Sequence, residues 1–174
     1  AWNYEDAAIK MDEGIHMNWP RKMLSPRWWL GETAPRPNRQ YDAIVQTLQK
    51  TLSDGATYAK EDEHSPKNMK MEAMRGLYDG SMAMYVHADV AKDIVQAVNI
   101  LKEHGVSRVA VVGGAQAWYI KEFLVENEVA IILRNVHSLP SREGEDVDMP
   151  YRLPAMLHKA GVKVALGYSS HSSA

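Results

Sequence analysis

The amino-acid sequence predicts an α/β domain built from parallel βα units. From Ser81 onward a short apolar run, a turn, an amphipathic helix and another turn follow one another about four times. One of these runs, Arg108 to Val112, is continuous in valine and alanine rather than alternating, which suits a parallel strand covered on both faces. Strands that alternate with helices of this length pair in parallel through right-handed crossovers.

Taken in order, Met82 to Val86 is the first strand of this half. Asp89 can cap the helix that follows, whose apolar positions Ile94, Val98 and Leu101 share one face. Gly105 ends that helix, as glycine commonly does past a helix C-terminus. Arg108 to Val112 is the second strand, and Gly113 and Gly114 turn the chain into a helix from Ala115 to Asn127. Glu128 to Leu133 is the third strand. After the polar loop "SREGEDVDMP", Tyr151 to Lys159 reads as a helix in which Pro154 is tolerated best in the first turn. Gly161 closes it, and Lys163 to Leu166 is the fourth strand.

The first half has another character. Asn18 to Asn38 is rich in proline and tryptophan, Tyr41 to Lys60 reads as a long helix, and Pro66 to Leu77 as a shorter one. Only Ala7 to Met11 is arguable as a further strand. The organisation expected is a single, partial domain over residues 1–174, with a loop- and helix-rich lead-in over 1–80 and four βα-type strands over 81–174. A sequence that stops at "GYSSHSSA", just past a strand, is what a piece of a larger barrel would look like. Its open edges predict pairing, in a homo-oligomer or with the missing part of the barrel.

With 174 residues, 45% of them hydrophobic, the chain can bury one real core. Its net charge of -2, from 20 basic and 22 acidic residues, gives no electrostatic reason to expect nucleic acid or an acidic membrane as partner. Arg21, Lys22, Arg27, Arg36 and Arg39 are interleaved with Trp19, Trp28 and Trp29, but aromatic side chains folding a long loop onto the domain explain that pattern more simply than stacking on bases. The absence of cysteine removes disulfides, thiolate metal sites and cysteine nucleophiles together. No run of 18 or more apolar residues occurs. Nothing here decides between a cytoplasmic and an exported protein.

Ligands of parallel α/β folds bind at the carboxyl ends of the strands. Those ends carry His87 and Asp89, then Gly113 and Gly114, then Arg134, Asn135 and His137, and finally Tyr168, Ser169 and His171. His87 can act as metal ligand or general base, or simply hydrogen-bond at a strand end. Gly113-Gly114 can present N–H groups to an anion, although a plain tight turn needs the same glycines. The serines near the C-terminus lack a GxSxG elbow. Asp146 and Asp148 read as solvated, and the methionines as core filling. His16, His64, His104 and His158 fall outside the strand-end set.

Three phrases then carry a resemblance: "RQYDAIVQTLQKTL", "MAMYVHADVAKDIVQAVNILKEHGVSRVAVVGGAQAWYIKEFLVENEVAIIL" and "NVHSLPSREGEDVDMPYRLPAMLHKAGVKVALGYSS". Together they resemble the amidohydrolase superfamily, in particular its imidazolonepropionase-related group, over roughly Tyr4 to Ser173. The resemblance implies the later part of a TIM (β/α)8 barrel, with the four strands matching the fifth to eighth. It implies a hydrolase acting on the C–N bond of a cyclic amide or similar small molecule, with a divalent metal, zinc first among the candidates. His87 falls where the family places a metal-binding histidine. Gly113 stands where a second one is usual, and Tyr168 and Ser169 stand in place of the usual aspartate. His171 is then the candidate base, and Arg134 and His137 the candidate substrate-binding residues. The alternatives are a binding or scaffold domain that kept the fold and lost the metal and its cofactor chemistry, or an α/β domain binding an anion at Gly113-Gly114.

Overall fold

The computed structural model describes residues 13–61, 65–134, 136, 144 and 146–167. The elements are β1 (Gly14–Asn18), β2 (Met23–Leu24), β3 (Arg36–Pro37), α1 (Tyr41–Ala59), α2 (Met69–Glu72), α3 (Arg75–Asp79), β4 (Ala83–Ala88), α4 (Ala91–Glu103), β5 (Val109–Gly113), α5 (Lys121–Glu126), β6 (Ala130–Leu133), α6 (Met149–Lys159) and β7 (Val164–Leu166). A 3₁₀ turn, Ala117–Ile120, leads into α5.

Five strands form one wholly parallel sheet in the order β1-β4-β5-β6-β7. The α/β class and the four strands after Ser81 are as expected from the sequence. The fifth, β1, lies in the lead-in and begins three residues past the end of the only arguable stretch there; Ala7 to Met11 themselves lie outside the described residues. β2 and β3 form a small antiparallel ribbon in the Pro- and Trp-rich segment.

Strand order follows chain order with no reversal, so right-handed crossovers put every connecting helix on the same side of the sheet. The burial shows the consequence. Met84, Val86 and Ala88 of β4, Val109 and Val111 of β5, and Ile131 and Leu133 of β6 point into one cluster with Ile94, Ala97, Val98 and Leu101 of α4, Leu124 of α5 and Leu153 and Leu157 of α6. The alternate residues face the other way. His16, Asn18 and Ala165 are exposed, Tyr85, His87, Ala130 and Ile132 half-buried, and Ala110 and Val112 are buried without joining the cluster. Among the described residues, then, helices cover the sheet on one face only, where the Val/Ala-rich run of Arg108 to Val112 suggested cover on both. In a closed barrel that second face is the packed interior.

Several boundaries differ from expectation for local reasons. β4 runs to Ala88 because Ala88 pairs with Gly113, so His87 lies within the strand rather than after it. Asp89 caps nothing: Val90 is the N-cap residue of α4, and the Gln116 side chain accepts the Ala91 N–H at 3.1 Å. The expected helix from Ala115 begins as a 3₁₀ turn. Pro150 occupies the first turn of α6, leaving Pro154 in the helix interior.

Gly14 shows how tightly β1 meets β4. A Cβ there would lie 2.4 Å from the Ala83 carbonyl oxygen and 2.5 Å from the Tyr85 ring. Gly14→Ala is therefore expected to destabilise the chain by about 1–3 kcal/mol through overpacking. A thermal melt would read it as a Tm lowered by roughly 2–4 °C per kcal/mol.

Candidate functional site

His87 is the penultimate residue of β4, on the face of the sheet that carries no helices. Its backbone carbonyl accepts the Trp19 N–H at 3.2 Å, which holds the exit of β1 against the exit of β4. Trp19 itself is 5% exposed and packs in the core, so it does fold the long loop onto the domain. Trp28 and Trp29 do not: they meet edge to face at 5.8 Å and stay exposed. The loop around them is held by Glu32, whose carboxylate accepts the Arg27 backbone N–H at 2.8 Å and Nε–H at 2.9 Å.

The site contains a residue that the strand-end list omitted. His16 Nδ1 lies 2.9 Å from His87 Nε2, with one imidazole donating to the other according to tautomer. The register pairs His16 with Tyr85 and Asn18 with His87, so all four side chains stand on one face. The His16 ring stacks on Tyr85 at 4.8 Å and 15°, and Tyr85 in turn lies over the gap left by Gly14. The signal was present in "GIHMN", where Ile15 and Met17 alternate with His16 and Asn18 at the period of a strand.

Burial pushes the His87 pKa below the ordinary histidine value, with His16 and Arg134 acting in the same direction and Asp89 against them. The neutral imidazole, the form that binds metal or accepts a proton, is thereby favoured. The unfolded chain takes up this proton at higher pH than the folded one. Acidification from neutrality through about pH 6.5 therefore costs stability until the folded pKa is passed. His16→Ala removes one of the lowering influences and leaves burial in place. Its expected effect is an upward move of the His87 titration midpoint, followed by NMR of the ring Hε1 proton.

Beside the histidines the end of β5 is closed off. Arg134, immediately after β6, reaches across to Asp89, with Nη2 3.2 Å from Oδ2. Gly113 sits beneath this pair at φ +115°, and a Cβ there would lie 2.4 Å from Asp89 Oδ1, 3.0 Å from the Ala88 carbonyl oxygen and 3.1 Å from Arg134 Nη2. The Gly114 N–H donates to the Ala88 carbonyl at 2.8 Å, so it is already engaged on backbone instead of facing an anion. Gln116 N–H donates to the Asp89 carbonyl at 3.0 Å and completes the strap. His137, Tyr168, Ser169 and His171 lie outside the described residues, as does His64. His104 bonds the Ile100 carbonyl through Nδ1 at 2.8 Å at the end of α4, and His158 lies in the last turn of α6, so both stand at helix C-termini and not at the carboxyl ends of strands. Asp146 is held by Arg152 at 3.2 Å on the surface.

Among the described residues no three His, Cys, Asp or Glu side chains converge as a metal would require, and no helix is long and apolar enough to cross a membrane. No family model matches the chain, and no curated protein does. A solved structure does: an amidohydrolase from Thermotoga maritima MSB8 superposes with a TM-score of 0.66 at 24% identity, over 94% of this chain and 43% of that one. The likeness shows a shared fold, and this chain spans less than half the length of that relative.

Proposed function

We propose that this chain is part of a metal-dependent, amidohydrolase-like hydrolase that cleaves a C–N bond in a cyclic amide or similar small molecule. The observation that carries the reading is the placement of His87: on the open face of the sheet, at the carboxyl end of a parallel strand, with a second imidazole nitrogen 2.9 Å away. Two nitrogens bound at 2.0–2.1 Å to a tetrahedral zinc stand about 3.3 Å apart. The observed pair faces across a hydrogen bond, so to share an ion both rings would have to turn toward a common point and the nitrogens separate by a few tenths of an ångström. Zinc held there would acidify a water and polarise a carbonyl.

The chain's own residues supply the rest. In its neutral form His87 would hold the metal, Arg134 stands at the end of β6, two strands away, with its charge shared with Asp89, and His137 and His171 are the proposed substrate contact and base. The fold likeness to an amidohydrolase supports the class of reaction, and the resemblance to the imidazolonepropionase-related group supports the substrate class. The uncovered face of the sheet supports a partner that supplies further strands, either the remaining part of a barrel or a second copy.

A second reading, a binding or scaffold domain without metal, is favoured by Gly113, where the strap of Asp89 and Arg134 fills the place of a ligand. Metal content after dialysis against a weak chelator separates the two. Near-stoichiometric zinc, manganese or iron in the wild type that disappears in His87→Ala supports the hydrolase and justifies assaying cyclic amides. A wild type that stays free of metal when supplied with these ions supports the scaffold.

A further inference from the structure

We infer that the turn Trp28–Leu30 is an interfacial anchor, which seats its apolar side chains at the headgroup level of an anionic lipid bilayer while basic residues at the foot of the β2–β3 ribbon meet the lipid phosphates. The surface is separate from the strand-end histidines, and nothing in the proposed hydrolysis uses it.

The segment leaves the sheet at the carboxyl end of β1, is pinned there by the buried Trp19, and returns to α1 through the antiparallel pair of β2 and β3. Its far end is a closed turn. The Leu30 N–H donates to the Arg27 carbonyl at 2.8 Å, the Gly31 N–H donates to the Trp28 carbonyl at 3.0 Å, and Gly31 takes the left-handed backbone, at φ +74°, that ends the turn. The Glu32 carboxylate holds Arg27 and also reaches Arg36 at 3.5 Å. The turn is thus kept in shape by its own polar groups, and three consecutive apolar residues are left outside it. Trp28 is 80% exposed, Trp29 64%, Leu30 62% and Met23, in β2, 50%. A contiguous apolar patch set out in water marks an interaction surface.

Charge selects the partner. Between residues 19 and 40 five basic residues stand against one acidic residue, a local net charge of +4 in a chain whose total is -2. Arg27 and Arg36 are engaged by Glu32, whereas Arg21, Lys22 and Arg39 are exposed at the foot of the ribbon. Asn38 ties its two arms together there, donating its N–H to the Lys22 carbonyl at 2.8 Å and its side-chain amide to the Arg21 carbonyl at 3.0 Å. Cations at the foot and indoles at the tip follow the order of a bilayer surface, anionic phosphates outermost and then the level that tryptophan prefers. A protruding turn enters a fluid bilayer without the matching pocket that a folded partner would have to supply. Stacking on nucleic-acid bases is served less well, because Trp28 and Trp29 meet each other edge to face and Leu30 and Met23 offer no ring.

The test is co-sedimentation of the 174-residue chain with vesicles of phosphatidylcholine alone and of phosphatidylcholine mixed equally with phosphatidylglycerol, with tryptophan emission followed in parallel. Wild type is compared with Trp28→Ala/Trp29→Ala, with Leu30→Ser, which leaves the paired rings in place, with Arg21→Gln/Arg39→Gln, and with Tyr119→Ala, an exposed aromatic residue outside the segment. The result expected is binding to the mixed vesicles with a blue shift of the emission, weakened by salt and weak on phosphatidylcholine alone. Each basic residue near such a surface strengthens binding about fivefold, so the arginine pair should cost roughly 25-fold. The tryptophan pair and Leu30→Ser should each weaken binding and reduce the blue shift, and Tyr119→Ala should bind as wild type does. No binding to mixed vesicles overturns the inference, as does binding that the arginine pair abolishes and both tip variants leave intact, which is attraction without insertion. Quenching of the emission by oligothymidylate without any response to vesicles overturns it in favour of nucleic acid. A dimer in sedimentation velocity that the tryptophan pair returns to monomer, again without vesicle binding, overturns it in favour of a second copy of the chain.

Discussion

Replacing Ile131 with alanine is expected to cost about 2–5 kcal/mol, whereas the same change at the next residue, Ile132, is expected to cost about 1 kcal/mol or less. Both are in β6, both are isoleucine, and their backbones pair with neighbours on both sides. What separates them is the face. Ile131 is fully buried in the cluster shared with Leu124 and Leu157, and its methyl groups fill the space over Gly114. Ile132 points to the side without helices and is half-buried. Urea denaturation would show the first variant with a much lower midpoint and an unchanged slope. Against a total stability of roughly 5–15 kcal/mol, Ile131→Ala removes a large share. Ile132 carries the informative comparison. In a longer chain or an assembly that lays further strands over this face, Ile132 becomes interior and its substitution rises to the cost of Ile131→Ala. Equal, large losses at both positions in the 174-residue chain would mean that something already covers the open face.

The same contrast explains how much could be read from the sequence. The βα units after Ser81 were legible because their signals are local: the spacing of Ile94, Val98 and Leu101, the Val/Ala run of β5, the glycines at 105 and 161. The single-sided burial was not, because a run such as "RVAVV" looks the same whether Ala110 and Val112 meet helices or an open interior. That distinction lives in strand order. β1 was missed for a related reason. It is five residues long, it carries His16 and Asn18 on one face, and it pairs with a strand reached only after the excursion through α1, α2 and α3. His87 stood out as the end of an apolar run, whereas the meaning of His16 depends on a partner 71 residues away. The break of the helix after β5 had the same origin: Gly114 and Gln116 spend their hydrogen bonds on Ala88, Asp89 and Ala91, contacts that only the parallel register creates.

Gly113→His, the substitution that would put a histidine where the family resemblance places one, is expected to destabilise the chain without adding a ligand. The backbone at φ +115° is a conformation that L side chains rarely adopt, with a cost of about 1–3 kcal/mol for the strain alone. The first atom of the new side chain would fall 2.4 Å from Asp89 Oδ1, so the Asp89–Arg134 pair must open before any imidazole can be seated. That pair is part-exposed and itself worth no more than about 1 kcal/mol, but Asp89 also anchors Gln116 through its carbonyl, and Gln116 holds the first turn of α4. Gly113→Ala isolates the backbone and Cβ terms, and Gly113→Ala with Asp89→Gly removes the contact with Asp89 while keeping the strain and the close approach to the Ala88 carbonyl. The double variant should recover part of the loss, with the two changes coupled by 0.5 kcal/mol or more, read from denaturation midpoints. Additive losses would show that Asp89 does not close over Gly113 in solution. Recovery in the double variant would show that this strand end holds an ion pair in the place of a ligand, and that a metal at His87 must draw its further donors from elsewhere on the open face.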